Sequence, residues 1–377
     1  MAVLAGGRLV TPDGVLENGW LRTAGRTIAA VGSGAPPGPA DLDVAGAWVV
    51  PGFVDIHVHG GGGASYLAGD PQRAAAVASL HRRHGTTTTL ASLVTAEPAR
   101  LARAVAGLAE VVDDGLLAGI HLEGPFLAAE RRGAHDPALL TAPEPGLVDM
   151  LLTAGRGTVR MVTLAPELPH GVSAVRRLAD AGVVAAVGHT DATYEQTRTA
   201  IDAGATVATH LFNAMRPLHH REPGPIAALL EDDRVTVELI CDGVHLHPAV
   251  VRTAIAATGA DRVTLVTDAM DAAGAGDGDY DLGGLAVRVT GGTARLVDGG
   301  AIAGSTLTMD RAVKFVLDAG TPMPAAVRMA STTPARLLGL ADQVGELRAG
   351  LDADLVVLDA DFVLRAVMSK GTWVDGA

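Results

Sequence analysis

Along the middle of the chain, short apolar runs alternate with longer stretches in which apolar residues recur every three or four positions. The short runs are bounded by Gly, Pro or Asp. They predict strands at roughly 49–59, 86–93, 117–123, 158–164, 183–189, 205–210, 235–241 and 262–268. Stretches such as PQRAAAVASLHRRHG and HGVSAVRRLADAG between them predict helices, and several end in Gly, as a helix C-cap does. Eight near-continuous apolar strands alternating with helices predict an α/β fold, a parallel (β/α)8 TIM-like barrel over 51–340. A doubly wound sheet is the competing arrangement. The ends differ: 1–50 and 341–377 carry short β-rich segments punctuated by Gly, Pro and Asp, such as GRLVTPDG and DADLVVLDAD. Together they predict one small β-sandwich domain built from both termini, with GSGAPPGPA (32–40) as a turn-rich connector.

Composition narrows the class. Of 377 residues, 48% are hydrophobic and 19% charged, enough for a large core and too apolar for a disordered chain. The net charge is −13, which argues against a general nucleic-acid binder but leaves room for a local basic pocket. Cys241 is the single cysteine, so no intrachain disulfide can form and a reducing compartment suits the chain. No apolar run reaches membrane-spanning length and the start lacks a signal-peptide pattern, so the expectation is a cytoplasmic protein with no membrane partner.

Candidate chemistry collects where the predicted strands end: His57 and His59 after the first, Glu123 after the third, His189 after the fifth, His210 after the sixth and Asp268 after the eighth. A barrel opens all of these ends onto one face, where active sites are built. Period two puts both imidazoles of an HxH on one side of a strand. Neutral imidazole and carboxylate suit Zn or Fe(II). One strand-end histidine is commonly just a hydrogen-bonded group; the whole set at matching ends points to a metal. Asp268 alone would read as a turn aspartate. Beside a metal it can take a proton from bound water.

The order HxH, Glu, His, His, Asp resembles the amidohydrolase superfamily and, more narrowly, its N-acetylglucosamine-6-phosphate deacetylase family. The motifs that carry the likeness are PGFVDIHVHG (51–60), GIHLEGPF (119–126), RRGAH (131–135), TLAPE (163–167) and VGHTDAT (187–193). THLFNAM (209–215), REPG (221–224), CDGVH (241–245), LVTDA (265–269) and GSTLTM (304–309) complete the series. Many binuclear members of the superfamily bridge two ions with a carboxylated lysine. The lysines here, Lys314 and Lys370, both follow the eighth strand, which leaves Glu123 as the acidic bridge and counts against a dihydroorotase- or hydantoinase-like protein.

The resemblance implies one ion on Glu123, His189 and His210, and a second on His57 and His59 if two are held. Zinc is the first choice of divalent metal, with iron, manganese or cobalt as the others. It implies substrate contacts from Ala134, His135, Asn213, Ala214, Asp242, Ile302, Ala303 and Gly304, and phosphate contacts from Arg221 and His245. It also implies a homodimer, with the phosphate site completed across the interface. The expected reaction is hydrolysis of N-acetylglucosamine 6-phosphate to glucosamine 6-phosphate and acetate. Metal-bound hydroxide attacks, Asp268 acts as base and then acid, and His135 helps polarise the carbonyl. The alternatives are a deacetylase of galactosamine 6-phosphate or of an unphosphorylated acetylamino sugar, and a non-catalytic sugar-phosphate sensor.

Weaker signals read as structural. The stretch DAAGAGDGDYDLGG (271–284) lacks the P-loop pattern and predicts a flexible loop near the mouth. His247 follows the motif histidine, and His219 and His220 suggest a mobile basic loop before Arg221. His121 is expected to be structural, pointing opposite to or away from the immediate neighbour of Glu123. Cys241 is expected to be a small buried residue.

Overall fold

The computed structural model describes residues 2–376. Eight strands form one parallel sheet in chain order: Phe53–Asp55, Thr86–Val94, Gly119–Glu123, Val159–Leu164, Val184–Val187, Ala205–Ala208, Thr236–Ile240 and Val263–Val266. Every strand from Gly119 onward is buried almost throughout, as expected when apolar helices cover the outside and side chains fill the inside. The last strand returns to the first. Val58 and Ala269 form a parallel bridge, the Asp268 amide donates to the His57 carbonyl at 2.8 Å, and the His59 amide donates to the Ala269 carbonyl at 2.8 Å. These bonds close the barrel at the level of the candidate site.

The helices follow from amphipathic spacing and local punctuation. Pro98–Asp113 starts with Pro at its first turn and buries Leu101, Ala104, Val105 and Leu108 on one face. Tyr194–Asp202 begins in a capping box, with Thr193 accepting from the Gln196 amide while the Gln196 side chain accepts from the Thr193 amide.

Three features differ from the sequence expectation. The first predicted strand is split. Trp48–Pro51 pairs with Leu355–Leu358 and Val3–Thr11 in the terminal sheet, while Phe53–Asp55 belongs to the barrel. Gly52 separates them, and a Cβ there would sit 2.2 Å from the Thr87 hydroxyl. The fifth, sixth and eighth strands stop before their functional residues. His189, His210 and Asp268 lie just past the strands in left-handed backbone, with φ of 47°, 28° and 50°. Finally, 271–284 is not a loop throughout. Gly278–Leu282 pairs antiparallel with Leu285–Thr290, which pairs with Thr293–Leu296. Gly283 and Gly284, at φ of 65° and 96°, make the two-residue turn between Leu282 and Leu285 that such a hairpin requires.

The termini form a second eight-stranded sheet, mostly antiparallel, in which Val3–Thr11, Gly14–Ala24, Thr27–Ser33 and Trp48–Pro51 join Leu355–Leu358, Leu364–Ser369 and Thr372–Trp373. Its core includes Leu4, Leu9, Leu21, Ile28, Val49, Leu355, Val357 and Met368. By contacts the chain divides into two compact units. One is Met1–Asp55 with Ser79–Thr88 and Thr308–Ala377, and the other is Ile56–Ala78 with Thr89–Leu307. No helix among the described residues is long and apolar enough to cross a membrane.

Asp354 sits buried at the start of Leu355–Leu358 and accepts the Lys370 amide at 2.6 Å. Burial pushes its carboxyl up to about 6, against the ordinary 3.8, although the Lys370 amide opposes this. The folded state therefore holds this proton more tightly than the unfolded chain. The group's contribution is fully present below about pH 4 and is lost as pH rises through about 6. Asp354→Asn should remove that part of the pH dependence and gain on the order of 2 to 3 kcal/mol relative to wild type between those limits. Chemical denaturation across that pH range checks it; parallel curves for the two proteins would refute it.

Candidate active site and metal centre

The mouth of the barrel gathers the strand-end residues into one buried cluster. From the first strand, His57 and His59 enter with their Nε2 atoms 3.1 Å apart. Glu123 ends the third strand and spreads its two oxygens between different histidines. Its Oε1 lies 3.0 Å from His189 Nε2 and 2.9 Å from His210 Nε2; its Oε2 lies 3.1 Å from His59 Nε2 and 3.4 Å from His135 Nε2. The His189 and His210 Nε2 atoms are 3.1 Å apart. Asp268 places Oδ1 3.1 Å from His59 Nε2 and 3.5 Å from His57 Nε2.

The far side of each ring settles which nitrogen faces the cluster. His189 Nδ1 donates to the Arg131 carbonyl at 2.9 Å, and His59 Nδ1 donates to the Ser92 carbonyl at 3.1 Å, since carbonyls only accept. Neutral rings held this way point Nε2 lone pairs at one another and at carboxylate oxygens. Lone pairs packed at about 3 Å repel unless a proton or cation lies among them. Imidazole nitrogen with carboxylate oxygen is also the donor set that divalent zinc, iron and similar ions take. The residues present therefore fit a divalent metal, with two convergent groups: His57, His59, Glu123 and Asp268, and Glu123 with His189 and either His135 or His210.

The charges agree with this. Burial opposes a charge on His57 and His59. The hydrogen bonds and charges of Asp268 and Glu123 outweigh it for His59 and lift it to about 9, and Glu123, Glu238 and Asp268 raise His57 well above its ordinary value. At His189 burial prevails and pushes the ring down to about 4. Burial works against ionised Glu123 and Asp268 as well, but His57 leads the groups that hold both below the ordinary carboxylate range. The pocket favours positive charge beside His57 and His59 and a neutral ring at His189.

A cavity of about 260 Å³ opens over the cluster. His59, Glu123, His135, His189, His210 and Asp268 line it. So do Ala134, Asn213, Ala214, His245, Ile302 and Gly304. Ala303 is fully buried beside Ile302 and Gly304 but does not line it. His57 is fully buried behind His59. Asp242 also stays off the wall. It accepts the His245 ring Nδ1 at 2.7 Å and the His245 amide at 2.8 Å, so it aims His245 rather than facing the cavity itself. Burial opposes charge on Asp242, yet these bonds keep it below the ordinary range. Arg221 lies elsewhere, exposed, lining a separate depression with Tyr194, Glu195, Arg216 and Glu222 and touching His220 through Nη1 at 2.8 Å.

His121 and Glu123 share a strand face because they are two residues apart, so His121 points inward one layer below Glu123 and opposite to Leu122, the neighbour of Glu123. Its ring packs edge-on to His57 at 4.6 Å and bridges Ser92 Oγ at 3.0 Å and Thr163 Oγ1 at 2.8 Å. Its role is structural, as expected. His247 caps Pro248–Thr258 and accepts the Ala249 amide. Cys241 is buried, and burial pushes its thiol up, so it is no nucleophile. Sequence reasoning passed over Glu238, Ser92, Thr95 and Leu282. Glu238 carried a signal, a carboxylate inside the apolar run VTVELI.

Comparison with known proteins accords with this geometry. The profile of the amidohydrolase family matches residues 48–376. N-acetylgalactosamine-6-phosphate deacetylase of Escherichia coli O157:H7 is 38% identical over 98% of both chains. N-acetylglucosamine-6-phosphate deacetylase of Bacillus subtilis (strain 168) is 34% identical over 96% of this chain and 94% of that one. Among solved structures, an aspartate-to-alanine mutant of the Mycobacterium smegmatis N-acetyl-D-glucosamine-6-phosphate deacetylase, in complex with N-acetyl-D-glucosamine-6-phosphate, is 52% identical. It superimposes with a TM-score of 0.96 over 99% of each chain.

Because Glu123 serves both donor groups, Glu123→Gln should lose bound divalent metal from both, whereas His210→Ala should lose it from one. Elemental analysis of dialysed, folded protein checks this; full metal retention by Glu123→Gln would contradict the shared-carboxylate arrangement.

Proposed function

Because this chain belongs to the amidohydrolase family, we propose that it hydrolyses the acetamide of an N-acetylhexosamine 6-phosphate, N-acetylglucosamine 6-phosphate foremost, releasing acetate and the free amino sugar phosphate. The observation that carries the reading is Asp268. This carboxylate faces the cavity 3.1 Å from His59, beside the Glu123, His189 and His210 donors. A divalent ion held by these donors would polarise the amide carbonyl and make water acidic enough to attack near neutral pH.

The chain's own residues supply the proton transfers. Asp268 Oδ takes the proton from water as its oxygen bonds to the carbonyl carbon. It then returns that proton to the amide nitrogen as the C–N bond breaks, so one carboxylate serves as base and then acid. His135 differs from the other rings. The Thr95 amide approaches its Nδ1 at 3.4 Å and the Thr95 hydroxyl at 2.8 Å, which makes Nδ1 an acceptor and leaves an N–H on Nε2, near Glu123. That N–H can donate to the carbonyl oxygen as negative charge builds on it. Ala134, Asn213, Ala214, Ile302 and Gly304 surround the space left for the sugar, with Ala303 packed behind them.

For the phosphate, His245, aimed by Asp242, is the contact within the same cavity. Arg221 stands outside it, which supports a homodimer in which each Arg221 serves the partner subunit's phosphate site. Zinc is the ion this donor set suits first. A second reading is a preference for N-acetylgalactosamine 6-phosphate, favoured by the 38% identity to the E. coli deacetylase named for that sugar.

Acetate release by metal-loaded protein from the two 6-phosphates and from the unphosphorylated sugars tests the reading. Release from a 6-phosphate, lost with a chelator and restored by a divalent ion, is the expected result; a metal-loaded protein that releases no acetate from any of them would overturn it. Asp268→Asn should keep the fold and lower turnover by about 10²- to 10⁴-fold. Near-normal turnover in that variant would remove Asp268 from the mechanism.

A further inference from the structure

One carboxylate in the barrel wall takes no part in the steps above. Glu238 is fully buried between Val237 and Leu239, both of them buried as well. A carboxylate withdrawn from water is costly to keep unless it is paired and hydrogen-bonded. Its Oε2 accepts the His210 backbone amide at 3.0 Å and lies 3.0 Å from His57 Nδ1. An oxygen already accepting an amide makes the facing ring nitrogen a donor. His57 is thereby held as the Nδ1–H tautomer, and its Nε2 lone pair points at the cluster, 3.1 Å from His59 Nε2 and 3.5 Å from both Glu123 Oε1 and Asp268 Oδ1.

The other candidate ligands are backed differently. His59 and His189 rest on the Ser92 and Arg131 carbonyls, and His210 Nδ1 has no hydrogen-bond partner among the described residues. Among the described residues, only His57 of these rings is backed by a carboxylate, and a carboxylate behind an imidazole increases the donor strength of its far nitrogen.

We propose that Glu238 is a positioning residue: it commits His57 to donate through Nε2 and selectively strengthens a divalent ion's hold in the His57–His59 group over the His189–His210 group. The inference rests on the metal reading above and does not depend on the substrate. Glu238 touches His210 only through the backbone, so the selectivity follows from which ring nitrogen it contacts.

The test is titration of metal-free protein with Co(II), followed by calorimetry and by visible absorption. Wild type should take up two equivalents. Glu238→Gln keeps an acceptor in place without the charge, and should weaken one equivalent by about 10- to 100-fold and change its absorption band while leaving the other nearly unaltered. In a His57→Ala background the same substitution should have no further effect. Glu238→Asp, which draws the charge back by one methylene, gives the same readout should the Gln variant fail to fold.

Unchanged affinities, equal weakening of both equivalents, an undiminished effect in the His57→Ala background, or a single equivalent in wild type would each overturn the proposal. Acetate release is measured on the same wild-type sample. Two bound ions without acetate release would sink the substrate assignment and leave the role of Glu238 standing.

Discussion

The site depends on one electrostatic constraint: buried imidazole lone pairs are made to face one another. His57, His59 and His189 could relieve the repulsion by exchanging a proton between nitrogens, but the barrel wall blocks that exchange. Backbone carbonyls of Ser92 and Arg131 occupy the far sides of His59 and His189, and Glu238 occupies that of His57. Carbonyls cannot donate, so these tautomers are set by the fold before any ligand arrives. What remains at the centre is a concentration of negative electrostatic potential enclosed by apolar strands, which only a cation or protons can balance.

The backbone bears part of the cost. His189, His210 and Asp268 adopt left-handed φ values just after their strands, a conformation that costs non-glycine residues about 1 kcal/mol or more each. All three side chains line the cavity. Bonds to neighbouring segments hold this geometry. The Asp268 amide reaches His57, the Ser305 amide reaches the Asp268 carbonyl at 2.8 Å, and the His210 amide reaches Glu238. Gly188, beside His189, is needed for close approach, since a Cβ there would meet Thr209 at 2.6 Å and Thr163 at 2.8 Å.

Much of this was legible because barrel chemistry sits where apolar strands stop. The runs ending in His189, His210 and Asp268 announced their polar residues by contrast, and the barrel itself followed from eight such runs. The errors have equally local causes. Pro51 and Gly52 split a run whose hydrophobicity is continuous, because two sheets claim adjacent halves of it. The glycines of 271–284 suggested flexibility, whereas the neighbouring LAVRVT alternates buried and exposed residues and pins the hairpin. Ser92 and Thr95 gave no signal at all, and Thr163 and Thr209 stood in quoted motifs without a role, for Ser and Thr are ordinary strand residues until their partners are known.

Glu238 shows why attention to strand ends alone falls short. Its neighbours Val237 and Leu239 face the opposite side of the strand, so period two directs the carboxylate into the interior, one layer beneath the mouth. His121, two residues before Glu123, occupies that depth too. The interior thus has two polar layers: an upper one that can meet a ligand and a lower one that fixes the upper one's protons. The lower layer joins Ser92, His121, Thr163 and Thr209 through bonds of 2.8 to 3.0 Å. Burial pushes His121 well below the ordinary histidine value, and the nearby His57 pushes the same way, so this layer carries its hydrogen bonds with a neutral ring. A charged His121 would set a second positive charge against the position where the upper layer must accept one. The lower layer thus acts on the upper one through the Glu238 carboxylate behind His57 and the Ser92 carbonyl behind His59, with no competing positive charge at His121.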